Sequence, residues 1–498
     1  MKRYALCCLV LLSPLPLCAE ENIAQHQNVA PNQEHLETLS DSVDANETAL
    51  AGEKLDEYRM LLTKKSATFN LFAIVRGLFG LLVLMFIAWL LSSNRRAISW
   101  ATIGKGLLIQ GVIAFCVLQF EPVQMLFEWL GSCFTAILSW TRAGSGFLFG
   151  SLIDTNHMGF IFAFQVLPVI IFFSAITSLL FYLGVIQKVV WVVSLIFTKF
   201  MNLSGAESLA TVGNIFLGQT ESPLMVKAYI PNMTRSEIML VMTAGMATMA
   251  GSVLAAYIKM LGNGDPVLEL QFAKHLLSAS VMAAPGAVVI AKILVPQTEP
   301  MVEKADLPPD KTGKNMLDAI SNGTIEGLKL TAHVAAMLLT FYALIAGVNF
   351  LLGKLGGFAG LNDAIASGTD GRYQGLSLEL VLGYGLAPLM ALLGICKEDL
   401  TLVGQLLGQK IILTEFIGYG ELARMIKAGM FTEAKSMIIS TYILCGFANF
   451  ASIGIQIGGL GSLAPNKRSM SAELGLRSLL GGTLAALVSA TMVGMILG

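Results

Sequence analysis

Charge is what this 498-residue sequence lacks most: 13% of its residues are Asp, Glu, Lys or Arg, whereas 55% are hydrophobic. Soluble domains carry about 25% charged residues, so the composition excludes a soluble globular enzyme. The 32 basic residues nearly cancel the 33 acidic ones, giving a net charge of −1, and no basic excess remains to bind nucleic acid. The composition therefore predicts a polytopic membrane protein whose surroundings are a lipid bilayer.

Clusters of metal-ligating and nucleophilic residues are also scarce. The seven cysteines include no C-x-x-C pair, and the five histidines form no H-E-x-x-H or similar ligand set. Glu326, Lys329 and His333 share one face of a predicted helix, but we interpret His333 as a packed helix residue. The sequence thus predicts neither an organic cofactor nor an enzyme.

The N-terminus has the layout of a secretory signal peptide. A basic start at Lys2 and Arg3 precedes an apolar run that ends at Ala19, and this run is shorter than the roughly 20 residues that a span needs. We predict that residues 1–19 are a cleaved leader; the alternative is a retained first helix. Residues 20–68 are polar and mostly acidic, which predicts a disordered extracytoplasmic arm.

Apolar stretches of spanning length recur along the rest of the chain and predict about eight transmembrane helices. A cleaved leader would place the mature N-terminus and the C-terminus outside the cytoplasm, and Arg95 and Arg96 after the first span agree with the positive-inside rule. Arg424 and Lys427 do not agree with it. The predicted spans are Asn70–Leu91, Ile103–Phe120, Phe160–Ile186, Ile238–Leu261, His275–Val295, Leu330–Leu352, Met437–Leu460 and Leu474–Leu497.

Two regions place glycines, polar residues and a glutamate in the middle of apolar sequence: Gly205–Ile230, here called hairpin 1, and Gly394–Ile426, here called hairpin 2. Each contains a Thr-Glu pair, and each precedes a span with a polar middle. Non-helical backbone at membrane depth persists where it lines a cavity, so this pattern indicates re-entrant hairpins and broken helices of a secondary transporter with internal repeats. The alternative is two loops outside the bilayer.

Inserting a charged side chain at the centre of a transmembrane helix costs about 2.5–3.5 kcal/mol even on the insertion scales that give the lowest values. A functional role is therefore expected for the two hairpin glutamates, Glu221 and Glu415. Hairpin 1 and hairpin 2 contain no Arg or Lys cluster, which disfavours a phosphate or carboxylate substrate. A neutral ligand with several N–H and O–H donors, such as a sugar or a nucleoside, would suit the two carboxylates.

Two runs of residues match the signature of a known family. Gly213–Pro223 (GNIFLGQTESP) and Cys445–Gly459 (CGFANFASIGIQIGG) resemble the signature of the concentrative nucleoside transporter family. Supporting likeness occurs at Phe164–Phe173, at Met242–Leu254 and in the Thr-Glu-Phe run that ends at Phe416. The likeness covers roughly residues 70–498, and leaves the leader and the acidic arm outside it.

The resemblance implies an all-α protein with eight spans and two re-entrant hairpins in an inverted repeat, with broken fourth and seventh spans, assembled as a homotrimer. It implies sodium-driven import of nucleosides across the bacterial inner membrane by an elevator mechanism, with the termini on the periplasmic side. Its implied segments are scaffold spans at 69–187, a first transport-domain half at 188–300, a loop and interfacial helix at 301–328, the sixth span at 329–377 and a second transport-domain half at 378–498.

Carried over by position, the resemblance assigns nucleobase contacts to Gln219, Thr220, Glu221 and Val253, and ribose contacts to Glu415, Asn449 and Ser452, with Phe447 beside the sugar. It assigns sodium to the side chains of Asn214 and Thr248 and to the carbonyls of Leu217 and Met249.

The pair Gly218-Gln219 resembles the form in broadly selective members, which accept purine and pyrimidine nucleosides. Proton-coupled relatives diverge in the first hairpin motif, and this chain keeps Asn214 and Gly218–Glu221, which favours sodium. A proton-coupled symporter and a passive channel for neutral solutes remain the alternatives.

Overall fold

The computed structural model describes residues 70–154, 158, 160–301, 314–358, 360–369 and 371–498. The expected leader and acidic arm lie outside these residues, as do residues 302–313 of the predicted loop and interfacial helix at 301–328. All regular secondary structure in the described part is helical. The helices are α1 (Leu71–Leu90), α2 (Trp100–Gln119), α3 (Glu121–Phe149), α4 (Phe162–Gln165), α5 (Leu167–Tyr182), α6 (Val185–Met201), α7 (Gly205–Gly213), α8 (Arg235–Ala247), α9 (Gly251–Gly262), α10 (Pro266–Leu294), α11 (Met316–Phe358), α12 (Leu361–Gly368), α13 (Leu378–Leu392), α14 (Leu400–Ile412), α15 (Glu415–Lys427), α16 (Ala434–Ile443), α17 (Phe450–Leu463) and α18 (Arg468–Leu497).

Seven helical segments in the described residues are long and apolar enough to cross a membrane. They are α1, α2, α4–α5, α8–α9, α10, α11 and the segment Pro465–Leu497 that contains α18. The predicted seventh span is formed by α16 and α17, which have 10 and 14 residues and are each too short to cross alone, since a crossing needs about 20 residues. The all-α polytopic fold with two interrupted spans is therefore confirmed.

Two helices between the spans are amphipathic. In α3 the buried residues form one stripe that includes Phe127 and Leu138, while Trp129 and Trp140 are exposed. On α6 the buried side chains recur at helical spacing from Val190 to Met201. A single buried stripe is what a helix lying at the membrane surface requires, and both helices have one.

Helix α11 pairs closely with α5. A β-carbon added at Gly323 would lie 2.9 Å from the Cα of Ala175, and one added at Gly327 would lie 2.8 Å from the Cα of Ile171, so small residues allow the two backbones to approach. The helix has 43 residues without a break, and the predicted boundary between the loop at 301–328 and the span at 329–377 falls inside it. In the 18-residue apolar stretch by which α11 could cross a membrane, 11% of the residues are buried inside the protein. In the corresponding stretches of α8–α9 and of α10 the buried share is 89%.

The two interrupted spans meet at their breaks, in the middle of the most buried part of the molecule. The thiol of Cys445 donates to the carbonyl oxygen of Ala247 at 3.5 Å. The next residue, Gly446, has φ of 85°, and a β-carbon added there would overlap the Ala247 carbonyl. Only glycine adopts this conformation without cost, so the crossing of the two breaks depends on Gly446.

Candidate functional site

A cavity of about 500 Å³ lies where the tips of hairpin 1 and hairpin 2 and the two broken spans face α11. All eight residues for which the sequence predicts a substrate contact line this cavity. They come from four separate segments of the chain: Gln219, Thr220, Glu221, Val253, Glu415, Phe447, Asn449 and Ser452. The tertiary structure thus brings the predicted set together, and their binding roles stay predictions.

Glu415 is the first residue of α15 and is 3% exposed. Its carboxylate accepts hydrogen bonds from the amide nitrogen of Asn449 at 2.7 Å and from the hydroxyl of Tyr257 at 3.1 Å. The start of a helix carries a partial positive charge, which stabilises an anionic side chain there. Both side-chain partners are neutral, so the carboxylate keeps its charge available for a ligand that donates hydrogen bonds.

A chain of side-chain hydrogen bonds joins hairpin 1 to the second broken span. Asn449 precedes α17 and its side-chain oxygen accepts from the backbone N–H of Ser452 at 2.9 Å. The Ser452 hydroxyl accepts from the side-chain amide of Gln219 at 3.2 Å. Gln456 donates to the Gln219 oxygen at 3.1 Å and to the carbonyl of Met242 at 2.9 Å. These bonds hold the amide of Gln219 in one orientation toward the cavity.

Sequence reasoning missed Gln456 and Tyr257. Gln456 lies in the same signature run as Asn449, and its polarity in an apolar helix is the signal that could have singled it out. Tyr257 is fully buried, stacks on Tyr419 with ring centroids 4.1 Å apart, and meets Phe416 edge-on at 4.9 Å. The packing of α9 against α15 brings its hydroxyl to Glu415, and no local pattern of the sequence reveals that contact.

The side chains of Glu326, Lys329 and His333 line the cavity from α11. Glu326 and Lys329 form an ion pair of 2.8 Å, with side chains 66% and 67% exposed. His333 is exposed as well, so its interpretation as a packed helix residue is wrong. Because α11 packs on α5 through its glycines, the polar face beside them turns toward the cavity. The expectation that no Arg or Lys cluster accompanies the hairpin carboxylates is consistent with this lining, in which Lys329 is a single basic residue paired with Glu326.

The residues for which a sodium role is predicted lie where hairpin 1 meets the break between α8 and α9. Asn214 is fully buried directly after α7; its amide nitrogen donates to the Ala210 carbonyl at 3.0 Å, and its side-chain oxygen has no hydrogen-bond partner among the described residues. The backbone N–H of Gly251 donates to the carbonyl of Phe216 at 3.1 Å, which attaches the hairpin tip to the break.

Thr248 ends α8, and Leu217 and Met249 are buried on the same two segments. Neutral side-chain and carbonyl oxygens suit a hard cation, and a buried oxygen without a donor is unusual unless a ligand satisfies it. The residues present therefore fit a sodium ion, and the orphaned oxygen of Asn214 is the observation behind that fit.

Comparison with known proteins identifies the family. Family models described as "Na+ dependent nucleoside transporter N-terminus", "Nucleoside recognition" and "Na+ dependent nucleoside transporter C-terminus" match residues 79–152, 163–264 and 275–494. An uncharacterized transporter of Haemophilus influenzae is 39% identical over 434 residues, covering 86% of this chain and 98% of that protein. The putative nucleoside permease NupX of Escherichia coli is 37% identical, covering 85% of this chain and 99% of that protein.

Two further comparisons agree. Sodium/nucleoside cotransporter 1 of Rattus norvegicus is 38% identical, over 84% of this chain and 63% of the longer rat protein. The structure of CNTnw in an inward-facing substrate-bound state is 35% identical with a TM-score of 0.75, covering 85% of this chain and 98% of that one. The chain therefore belongs to the Na+-dependent, concentrative nucleoside transporter family. It is a multi-pass membrane transporter and not an enzyme.

Proposed function

We propose that this chain is a secondary active symporter that imports purine and pyrimidine nucleosides across the bacterial inner membrane, driven by the sodium gradient. The observation that carries the proposal is the convergence of all eight predicted contact residues on one cavity. The names of the similar proteins, a putative nucleoside permease and a sodium/nucleoside cotransporter, support the substrate class and the coupling ion.

In this proposal the ribose occupies the hairpin 2 side of the cavity. Glu415 accepts hydrogen bonds from the ribose hydroxyls, Asn449 and Ser452 orient the sugar, and Phe447 covers its apolar face. The nucleobase lies against the tip of hairpin 1. The Gln219 amide, held by Gln456, offers a donor and an acceptor, and Thr220 and Glu221 add polar groups beside the apolar Val253. An amide that both donates and accepts suits purines and pyrimidines alike.

The ion would be held by Asn214, Leu217, Thr248 and Met249 and would supply a positive charge that organises neutral oxygens. The described contacts give a reason for coupling. Asn214 and Leu217 immediately precede the nucleobase-contacting tip, and Phe216 between them is bonded to the start of α9. Ordering the oxygens of this segment around an ion therefore also orders Gln219 for the substrate, which gives a favourable coupling free energy, and so positive cooperativity, between two adjacent sites.

The packing supports an elevator movement on a homotrimeric scaffold. The segments at 188–300 and 378–498 contain both hairpins and both broken spans, and their central spans α8–α9 and α10 are each 89% buried. Only 11% of the residues in the apolar stretch of α11 are buried within the chain, so this helix needs an apolar cover from lipid or from further copies of the chain. We infer that α5 and α11 form the static scaffold past which the two buried segments move together.

Uptake of radiolabelled uridine by a bacterial host without its own nucleoside transporters tests this proposal. Accumulation above the external concentration in sodium medium, and its loss when choline replaces sodium, is the expected result. Equal uptake in choline that an uncoupler abolishes would indicate proton coupling, and equilibration without accumulation would indicate a channel. Competition by unlabelled adenosine, inosine and cytidine measures the breadth of selectivity.

A further inference from the structure

A lysine lies buried at the break of the second interrupted span. Lys410, in the last turn of α14, is 0% exposed. Its ammonium donates to the carbonyl oxygen of Cys445 at 2.6 Å and to that of Ile443 at 3.0 Å. Both acceptors lie at the C-terminal end of α16, where a helix leaves carbonyls without intrahelical donors and carries a partial negative charge. Among the described residues, this ammonium thus donates to two carbonyl oxygens at the end of a broken helix.

The position of Lys410 in hairpin 2 matches that of Phe216 in hairpin 1. Counted back from the glutamate of each Thr-Glu pair, both residues lie five places earlier. Both also contact the break of the span that follows their hairpin: Phe216 through its carbonyl, which accepts from Gly251, and Lys410 through its ammonium. The two repeats therefore dock a hairpin on a broken span in the same place, with different chemistry.

The difference between the repeats concerns positive charge. In the first repeat the docking point has neutral oxygens, among them the orphaned side-chain oxygen of Asn214. In the second repeat the free carbonyls are already satisfied by a covalently attached cation. An uncompensated buried ammonium is costly, and it persists where polar groups fully satisfy it. Lys410 also lies five residues before Glu415, whose carboxylate needs positive potential but has only neutral side-chain partners.

We propose that Lys410 is a built-in cation that takes, in the second repeat, the place that the coupling ion takes in the first. It is a positioning residue: it holds the break of the second span closed on hairpin 2 and supplies positive potential to the Glu415 region without an exchangeable ion. This inference rests on the proposed sodium coupling at the first repeat. It follows that one sodium ion moves with each nucleoside.

The test compares Lys410→Ser with Lys410→Arg and Lys410→Met in purified protein and in proteoliposomes. Serine removes the charge and leaves room and an oxygen for an ion. We expect Lys410→Ser to transport uridine only at raised sodium, with a Hill coefficient for sodium that rises from about 1 toward about 2. Lys410→Met removes the charge and fills the space, so it should lose transport at every sodium concentration, whereas Lys410→Arg should keep a Hill coefficient of about 1.

Sodium-dependent thermal stabilisation gives a readout independent of transport. Lys410→Ser should be stabilised by sodium to a greater extent than the wild type, because an additional ion binds its folded state. Wild-type uptake in Lys410→Met, or an unchanged Hill coefficient together with unchanged sodium stabilisation in Lys410→Ser, would overturn the inference while leaving sodium coupling intact. A wild type indifferent to sodium would instead overturn the proposed coupling itself.

A measurement on the wild type alone keeps the inference testable if the variants do not fold. The charge carried per uridine, obtained from reversal potentials in proteoliposomes, should be about one elementary charge, because in this inference a single exchangeable sodium ion moves with each neutral nucleoside. A ratio near two would require a second exchangeable cation and would contradict the role given to Lys410.

Discussion

Replacing Glu415 by glutamine tests the ribose site most directly. The amide has nearly the same shape, so its oxygen can still accept from Asn449 and its NH2 can donate to the oxygen of Tyr257, which lie at 2.7 Å and 3.1 Å in the native contacts. The local packing should therefore survive, and the change removes one buried negative charge and little else.

The magnitude follows from the kinds of hydrogen bond involved. A bond to a charged group contributes about 1.5–3 kcal/mol and a neutral one about 0.5–1.5 kcal/mol, so each ribose hydroxyl loses about 1–1.5 kcal/mol. Two hydroxyls lose about 2–3 kcal/mol together, which corresponds to a roughly 30- to 150-fold weaker affinity for uridine. The melting temperature should stay equal or rise, because a buried charge with neutral side-chain partners is costly in the folded state.

Isothermal titration of purified protein with uridine and with 2′-deoxyuridine measures both effects. The difference in affinity between the two ligands should be smaller in Glu415→Gln than in the wild type, since the extra hydroxyl then makes a neutral hydrogen bond in place of a charged one. Glu326→Gln is the matched control: it removes a carboxylate from the same cavity on α11, where an exposed ion pair contributes about 0–1 kcal/mol. A loss of less than threefold in uridine affinity for Glu415→Gln, at unchanged melting temperature, would refute this account of the site.

Three more predictions use other contacts of the same region. Gly446→Ala should prevent correct folding, since the φ of 85° costs a non-glycine residue about 1–2 kcal/mol, and the added β-carbon would also overlap the Ala247 carbonyl. Size-exclusion chromatography checks this: Gly454→Ala, whose β-carbon would have nothing within 4 Å, is the control that should elute normally. Asn214→Ala should raise the sodium concentration for half-maximal uridine uptake by about tenfold, the equivalent of roughly 1.4 kcal/mol; an unchanged sodium dependence would remove Asn214 from the ion site. Tyr257→Phe removes one donor to the Glu415 carboxylate and should weaken uridine binding by roughly 3- to 30-fold in titration calorimetry; full affinity would show that the hydroxyl does not position the carboxylate.

Much of the site could be predicted because its signals are local. Glu221 and Glu415 are glutamates inside apolar sequence, each preceded by threonine, and such residues mark functional positions in a membrane protein whatever their tertiary surroundings. The polar middle of the seventh span likewise indicated a break, and the structure has α16 end at Ile443 and α17 begin at Phe450.

The rest could not be predicted, because its contacts join distant parts of the chain. Tyr257 is 158 residues from Glu415, and Gln456 is 237 residues from Gln219. In the sequence, Tyr257 and Gln456 are each one polar side chain within an apolar helix. The interpretation of His333 on α11 as a packed residue fails for the same reason. Its orientation toward the cavity depends on how Gly323 and Gly327 seat the helix on α5.

The sequence by itself determined that the chain is a helical membrane protein, that two hairpins interrupt it, and which glutamates are exceptional. These properties depend on hydropathy and on residue type over short windows, which the bilayer selects directly. Only the tertiary structure decided that the hairpins and breaks meet at one cavity, that neutral donors surround Glu415, and that a buried lysine closes the second break. Those results depend on close packing between segments far apart in the chain, a property that no local stretch of sequence contains.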